Sequence, residues 1–536
     1  MNRGLIRQLA VSLVLLALLS GCARRASNGP SHDNYLRIAA TAEPTTLDPA
    51  MVEDGPTISL LMQIYEGLVR WTPDNKLAPA LATSWDVSKD GCIYTFHLRP
   101  GVKFHSGHPV TATDVVYSIS RSLAPKTASP VGVTYLGDIV GAQAFNAGKT
   151  PTLPGIKALD PLTVQITISK PKAYWINVLT YPTAYVVNAA SVARDPAGRI
   201  TDQNTDGAGP FKLISYKSGV SIELASNASY WDGAPKIAGQ HVQIVTDART
   251  RHSLYVHGDL DIVDETSGSR EADVKDPALA SQIHYFPRAA TFYLALNQSA
   301  PNGLPAFKDI RVRQALAYAT DKKRIVDIVF DGKRDVADDL LPEGLPGYDP
   351  NYRGLPYDPA KARALLAAAG YPGGKGFPAL PIYYREGNPD YAKLVDQLRQ
   401  MYQENLGVTV KPQQTELSSL LAGIDNGSYP AYHLRWAADY LDPQDFYSIL
   451  CRTGSSENHL GYSNAKFDAL CDRADVERNA ANRMAIYRQA AAILRTDFPR
   501  IPLYYQCDVE LIKPYVSGIQ DGLMGHLPYT ALVLKR

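Results

Sequence analysis

Residues 77–117 read LAPALATSWDVSKDGCIYTFHLRPGVKFHSGHPVTATDVVY, and the spacing of apolar residues changes within them. Tyr94, Phe96 and Leu98 alternate with Thr95, His97 and Arg99, the period of two that marks a strand with one buried face. Before them, Trp85 to Ser88 leads into Lys89-Asp90-Gly91, a turn in which glycine supplies the backbone freedom. A β-hairpin is therefore expected, closed by Pro100-Gly101. Thr111-Ala112-Thr113-Asp114 then has capping-box spacing and opens a helix carrying Val115, Ile119 and Leu123 on one face.

The same mixture extends in both directions. Leu36 to Ala40 is a short apolar strand, and Ile58 to Leu68 has helical spacing with Gly67 as its expected C-cap. Val164, Ile166 and Ile168 alternate again within 156–168. Downstream, Phe307 to Phe330 predicts a helix on Val312, Leu316, Ala319 and Ile325. Asp358-Pro359 predicts an N-cap with proline at the first helical position, and Gly370 its end. Leu394, Leu398 and Met401 mark a helix stopped by Gly407, followed by a strand at 408–410. Phe467 to Ala474 and Met484 to Leu494 predict two more helices. Strands alternating with helices read as α/β, and 536 residues leave room for about two to four domains.

The N-terminus gives a compartment. Arg3 and Arg7 precede an apolar run from Leu9 to Leu19, the length of a signal-peptide core and too short to span a bilayer. Leu19-Ser20-Gly21-Cys22 follows and resembles a lipobox. Residues 1–21 are therefore expected to be a signal peptide, Cys22 the lipidated first mature residue, and 22–34 a polar tether. The protein is expected at the periplasm or cell surface, held to the membrane by this lipid. The whole chain carries 54 Lys and Arg against 53 Asp and Glu, and this balance argues against nucleic acid as a partner. The excess of 32 Tyr over 12 Phe suits pockets that are apolar and hydrogen-bonding at once. Of the four later cysteines, Cys451 and Cys471 are either a disulfide or, as the apolar helix face shared with Phe467 and Ala474 favours, free thiols.

Catalytic patterns are missing: there is no GxSxG, HExxH or P-loop. His105 and His108 sit in a turn with no third metal ligand nearby, Pro372 to Gly376 follows a helix end and does not open one, and Asp338-Asp339 alone does not support catalysis. No enzyme activity, cofactor or metal is expected.

The hairpin and helix at 77–117 resemble the signature region of the solute-binding proteins of family 5, the peptide and nickel class of ABC importers. LDPA at 47–50, IYEGL at 64–68, GAGPFKLISY at 207–216, FKDIRVRQALAYATDKKRIV at 307–326 and IPLYY at 501–505 agree in order, so the resemblance covers nearly the whole mature chain. It implies a periplasmic-binding-protein type II-like fold, with two lobes around a hinged cleft and a third, smaller inserted domain. Lobe I would comprise 35–68, 195–292 and 503–536, the inserted domain 69–194, and lobe II 293–502. It also implies a monomeric substrate-binding lipoprotein that delivers short peptides to an ABC permease and ATPase complex. Other ligands of the class are a modified peptide, an opine-like conjugate, an oligosaccharide, nickel or haem. A sensory or chaperone lipoprotein without a transporter is a different reading.

Within that resemblance, Arg435 to Pro443 (RWAADYLDP) is similar to the segment of oligopeptide binders in which an Asp holds the ligand's α-ammonium. Asp439 matches that acid, Trp436 the aromatic residue before it, and Ala437 the position whose backbone pairs with the ligand. Glu53 and Gly55 match the stretch that pairs from the other side. His433 stands where those binders carry an arginine that meets the ligand carboxylate, and Arg435, on the same strand face, is the candidate to replace it.

Overall fold

The computed structural model describes residues 34–264, 269–299 and 304–536; the signal peptide, Cys22 and nearly all of the tether lie outside them. Alternation in the signature stretch becomes the strand Ile93–Leu98, with Phe96 fully buried. It pairs antiparallel with Ala82–Val87 across a turn that Gly91 makes at φ +79°. Thr163–Thr167 and Ile156–Asp160 complete a four-stranded sheet, so the alternating segment near 156–168 is a second hairpin. The helix Ala112–Leu123 packs on this sheet through Val115, Ile119 and Leu123. Asp114 accepts from the Thr111 N–H at 2.8 Å and from its hydroxyl at 2.7 Å, fixing the helix start as the spacing requires.

A second four-stranded sheet joins distant parts of the chain. Tyr35–Ala40 lies parallel to Gly239–Ile244, which pairs antiparallel with Ser221–Ser226 and that in turn with Phe211–Lys217. The helix Gly55–Ile64 contributes Leu61 and Ile64 to its core. That helix ends at Ile64, not at Gly67. Gly67 serves close packing instead, since a Cβ there would stand 3.2 Å from the Tyr185 ring and 3.3 Å from the Leu179 carbonyl.

The third sheet has six strands in the order Ile262–Asp264, Arg500–Ile512, Ile283–Leu296, Ala431–Ala437, Leu380–Arg385 and Val410–Thr415. Its two long strands run antiparallel from Ile283↔Leu511 to Ala295↔Arg500. The ladder slips between Pro287 and Thr291, next to a proline that has no N–H to give it. Beyond the slip successive side chains feed two cores: Phe292, Leu294 and Leu296 enter one, Tyr293 and Ala295 the other. A sheet buried on both faces reads as a nearly continuous apolar run. At the opposite end Ile512 and Ile262 join the core of the second sheet. These long strands therefore tie together the two halves of a type II periplasmic-binding-protein fold.

Two sequence expectations change here. The segment 307–330 forms two helices, Ile310–Ala319 and Lys322–Phe330. Thr320 is extended between them, and Asp321 caps the second by accepting the Arg324 N–H at 2.9 Å. The strand expected at 408–410 begins at Val410 and runs to Thr415. Cys92, Cys451, Cys471 and Cys507 are free thiols, and Cys451 and Cys471 are buried in one core with Phe467 and Ala474. His105 turns inward and its Nε2 meets the Gly209 carbonyl at 2.9 Å. Burial lowers its pKa to about 4.

Candidate functional site

The strand Ala431–Ala437 pairs with Ile283–Leu296 along its whole length, but with Leu380–Arg385 only at Tyr383↔Tyr432. The Ala438 N–H donates to the Ala289 carbonyl at 2.7 Å. Backbone groups alternate sides along a strand, so those of Ala437, Arg435 and His433 face away from Ile283–Leu296. Past Tyr432 that side has no paired strand among the described residues.

The chain beyond this edge is pinned from several directions. Asp442 caps the helix Pro443–Cys451 by accepting the Gln444 N–H at 2.9 Å, and Arg483 clamps both its oxygens at 2.6 and 2.7 Å. The Tyr440 ring is buried and stacks on Tyr174 with centroids 5.8 Å apart and planes 3° from parallel. Oδ2 of Asp445 accepts from the Trp436 indole and the Asp439 backbone N–H, both at 3.1 Å. Its buried Oδ1 has no hydrogen-bond partner among the described residues.

Asp439 is half-buried at the end of the open edge. Burial raises its pKa, nearby Glu457 adds to the rise, and a hydrogen bond with Tyr135 opposes it. Burial, and then the charge of Asp439, also raise that of Asp445. Two carboxylates in one desolvated place favour a cation between them. Tyr135 stacks on Tyr181 at 3.8 Å, and the Tyr181 hydroxyl donates to the Val52 carbonyl at 3.2 Å. Burial raises the Tyr181 pKa first, and Asp439, Glu53 and Asp54 all add to it. Residues nearly four hundred positions apart thus converge on one tyrosine pair. Asp54 caps the helix Gly55–Ile64 through the Thr57 N–H at 2.9 Å. Glu53 is exposed beside it, and the space over the Gly55 Cα is open, with nothing within 4 Å of where a Cβ would be.

His433 is placed differently from its neighbours. It is 2% exposed and lies between aromatic rings, stacked on Phe292 at 5.5 Å and edge-on to Tyr391 at 5.0 Å. Burial drops its pKa to about 3, so it is uncharged at neutral pH. Arg435, two residues on, is exposed and hydrogen-bonds Gln506. Both line a cavity of about 310 Å³, together with Trp436, Arg385 and Tyr391.

The structure therefore brings Asp439, Trp436 and Ala437 to one edge, joins Tyr181 to the Val52 carbonyl just before Glu53 and Gly55, and sets His433 and Arg435 in a cavity with Trp436. Sequence reasoning missed Asp445, Tyr135, Tyr181, Arg385 and Tyr391. For Asp445 the available signal was its place in the first turn of a helix opened by Asp442-Pro443, where an acid also suits the helix dipole. For the tyrosines there was only their abundance.

No helix among the described residues is long and apolar enough to cross a membrane. Heme-binding protein A of Haemophilus influenzae is 30% identical over 522 residues, covering 94% of this chain and 93% of that protein. The periplasmic oligopeptide-binding protein OppA of Escherichia coli is 29% identical over 526 residues, 96% of this chain and 95% of its own. The structure of the Escherichia coli murein tripeptide binding protein MppA superimposes with a TM-score of 0.77 at 28% identity, covering 93% of this chain and 98% of that one. Residues 76–458 match the family model described as bacterial extracellular solute-binding proteins, family 5 Middle. A match over most of the chain, with full-length relatives and a shared fold, establishes that this chain belongs to the family 5 bacterial extracellular solute-binding proteins.

Proposed function

We propose that this protein is the substrate-binding lipoprotein of an ABC importer and that its ligand is a short peptide with a free N-terminus. The names of its relatives do not select the ligand, because they include a haem binder and a deoxycholate binder beside oligopeptide and murein peptide binders. One observation carries the peptide reading: a strand edge at 433–437, with no further strand paired to it among the described residues, ends at Asp439, a half-buried carboxylate whose pKa is raised by burial. A peptide adding to that edge would exchange main-chain hydrogen bonds with Ala437 and Arg435, which hold any sequence. Its ammonium would reach Asp439, and its opposite side would lie over the open Gly55. In this reading 35–68, 195–292 and 503–536 form lobe I, 69–194 the inserted domain and 293–502 lobe II. Ligand contacts made with both sides favour the closed population. Cys22 carries the lipid, and the loaded protein delivers to a permease.

Calorimetry with alanine-rich tri- and tetrapeptides tests the reading. Equal-length peptides with different neutral side chains should bind within about 1–3 kcal/mol of one another. N-methylation of the ligand amide that meets Ala437 should weaken binding far more, and equal binding of the methylated peptide would refute strand addition. In cells, Cys22→Ala should leave the protein soluble or unprocessed; a processed variant still on the membrane would refute the anchor.

A further inference from the structure

The cavity beside the open edge holds more positive charge than backbone recognition needs. It lies where Leu380–Arg385 and Ala431–Ala437 part after their single pairing at Tyr383↔Tyr432. Two deeply buried side chains line it with nitrogens that lack a hydrogen-bond partner among the described residues: His433 Nε2, and Nε of Arg500, which is 4% exposed. Arg385 and Arg435 line it as well, and neither is in an ion pair among the described residues. Tyr391 lines the same cavity between them in sequence, edge-on to His433 at 5.0 Å, and Arg435 donates to Gln506. The acids that also line the cavity, Asp425 and Glu457, are met by His459 at 3.5 and 3.6 Å. Against these two acids stand three arginines, Arg385, Arg435 and Arg500, a surplus of one positive charge.

Strand geometry says which part of a ligand arrives there. A peptide with its ammonium at Asp439 runs antiparallel to Ala431–Ala437. With its first residue opposite Ala437, its third is opposite Arg435, and directly opposed residues share a face. The edge continues past Arg435 to His433, so a fourth residue has a place and the chain terminus need not stop at the arginine.

We infer that this cavity selects an acidic side chain at the third residue of the peptide, its carboxylate held between Arg385 and Arg435 and reached by His433 Nε2. The inference rests on the peptide reading above and adds a preferred ligand class to it. Charge-assisted, bidentate contacts of arginine with a carboxylate supply both the energy and the geometry. The neutral His433 completes the contact with a hydrogen bond and adds no second charge to desolvate.

Calorimetry on the wild-type protein decides, using Ala-Ala-Glu-Ala, Ala-Ala-Gln-Ala, their C-terminal amides and Ala-Glu-Ala-Ala. The Glu peptide should bind at least about tenfold more tightly than its Gln counterpart. Amidation should change either by less than about threefold, the range of a screened charge. Glutamate at the second position, on the opposite face, should gain nothing over the Gln peptide. In the doubly substituted Arg385→Gln, Arg435→Gln protein the Glu/Gln ratio should fall to within about threefold. If Glu and Gln peptides bind equally well, the inference is overturned while the peptide reading stands. If amidation carries the loss instead, the arginines read the chain terminus and the inference is overturned. If no peptide binds, the proposed function falls and this subsite with it.

Discussion

Replacing Asp439 by Asn removes one charge and keeps the shape of the side chain, so it isolates the electrostatic part of ligand capture. A unit pair about 4 Å apart is worth about 4 kcal/mol at an effective dielectric of about 20, before desolvation is subtracted. Removing one member of a desolvated pair costs about 2–5 kcal/mol, because the other charge stays buried without compensation. The buried Asp445 is joined to the Asp439 backbone at 3.1 Å and still faces the site in the variant. It retains part of the attraction for an ammonium, which puts the expected loss at the lower end, about 2 kcal/mol or roughly thirtyfold in Kd. N-acetylating the peptide removes the other charge of the same contact. Calorimetry on wild type and Asp439→Asn, each with free and acetylated peptide, should therefore give strongly non-additive losses, with a coupling of at least about 1.5 kcal/mol. Because burial raises the pKa of both Asp439 and Asp445, wild-type affinity should also weaken as the pH falls through that raised range and the carboxylates take up protons. Unchanged binding of free peptide by Asp439→Asn, or losses that simply add, would refute the ammonium site.

Breaking the buried pair of Arg483 and Asp442, whose side chains are 7% and 4% exposed, should destabilise the fold sharply. Asp442→Ala should cost about 3–5 kcal/mol in denaturant unfolding, and the double substitution Asp442→Ala, Arg483→Met, which lacks the cap as well, should recover much of it. Near-equal stability of single and double variants would show that the N-cap lost at Gln444, not the orphaned guanidinium, sets the cost. His526, between Glu510 at 2.8 Å and Asp521 at 2.7 Å, has its pKa raised to about 9 by these partners against the opposing effect of burial. Its stabilisation is full below the unfolded value near 6.5 and is lost as pH rises through about 9. Wild type should lose about 2–3 kcal/mol across that window, and His526→Gln should show a flatter profile; identical profiles would refute the assignment.

Local chemistry made the first hairpin and its helix legible, because alternation, the Gly91 turn and the Thr111–Asp114 cap lie within one short window. The split at Thr320 was hidden for a related reason. Apolar spacing continues across it from Ala319 to Ile325, and only the Asp321 cap interrupts the pattern. The parallel pairing of Tyr35–Ala40 with Gly239–Ile244 has no local signature at all, so the connectivity came from family resemblance. Trp436, Ala437 and Asp439 could be named for the same reason. That Ala437 lies on an unpaired edge could not be read, because it depends on Leu380–Arg385 diverging after one residue. The strand face of His433 could be read, but its burial could not, because the aromatic rings around it arrive from 292, 391 and 504.

The strand Arg500–Ile512 lies inside the six-stranded sheet, between Ile262–Asp264 and Ile283–Leu296, although it is the last long strand made during synthesis. The roughly two hundred residues before it leave and re-enter at one point, where the Leu296 N–H donates to the Pro499 carbonyl at 3.0 Å. They contain their own helices and supply most of two apolar cores, one of which is completed by Ile501, Leu503 and Tyr504 of the late strand, so only their nearer contacts can form before the tail exists. Ile262–Asp264, by contrast, has only the late strand as its neighbour in that sheet. Contacts that wait for distant sequence form slowly. A nascent or prematurely ended chain therefore displays the edge of Ile283–Leu296, whose last nine residues are buried in the finished protein. An unpaired apolar edge of that length recruits other chains. Completion of the C-terminus is thus the step that covers this edge of Ile283–Leu296.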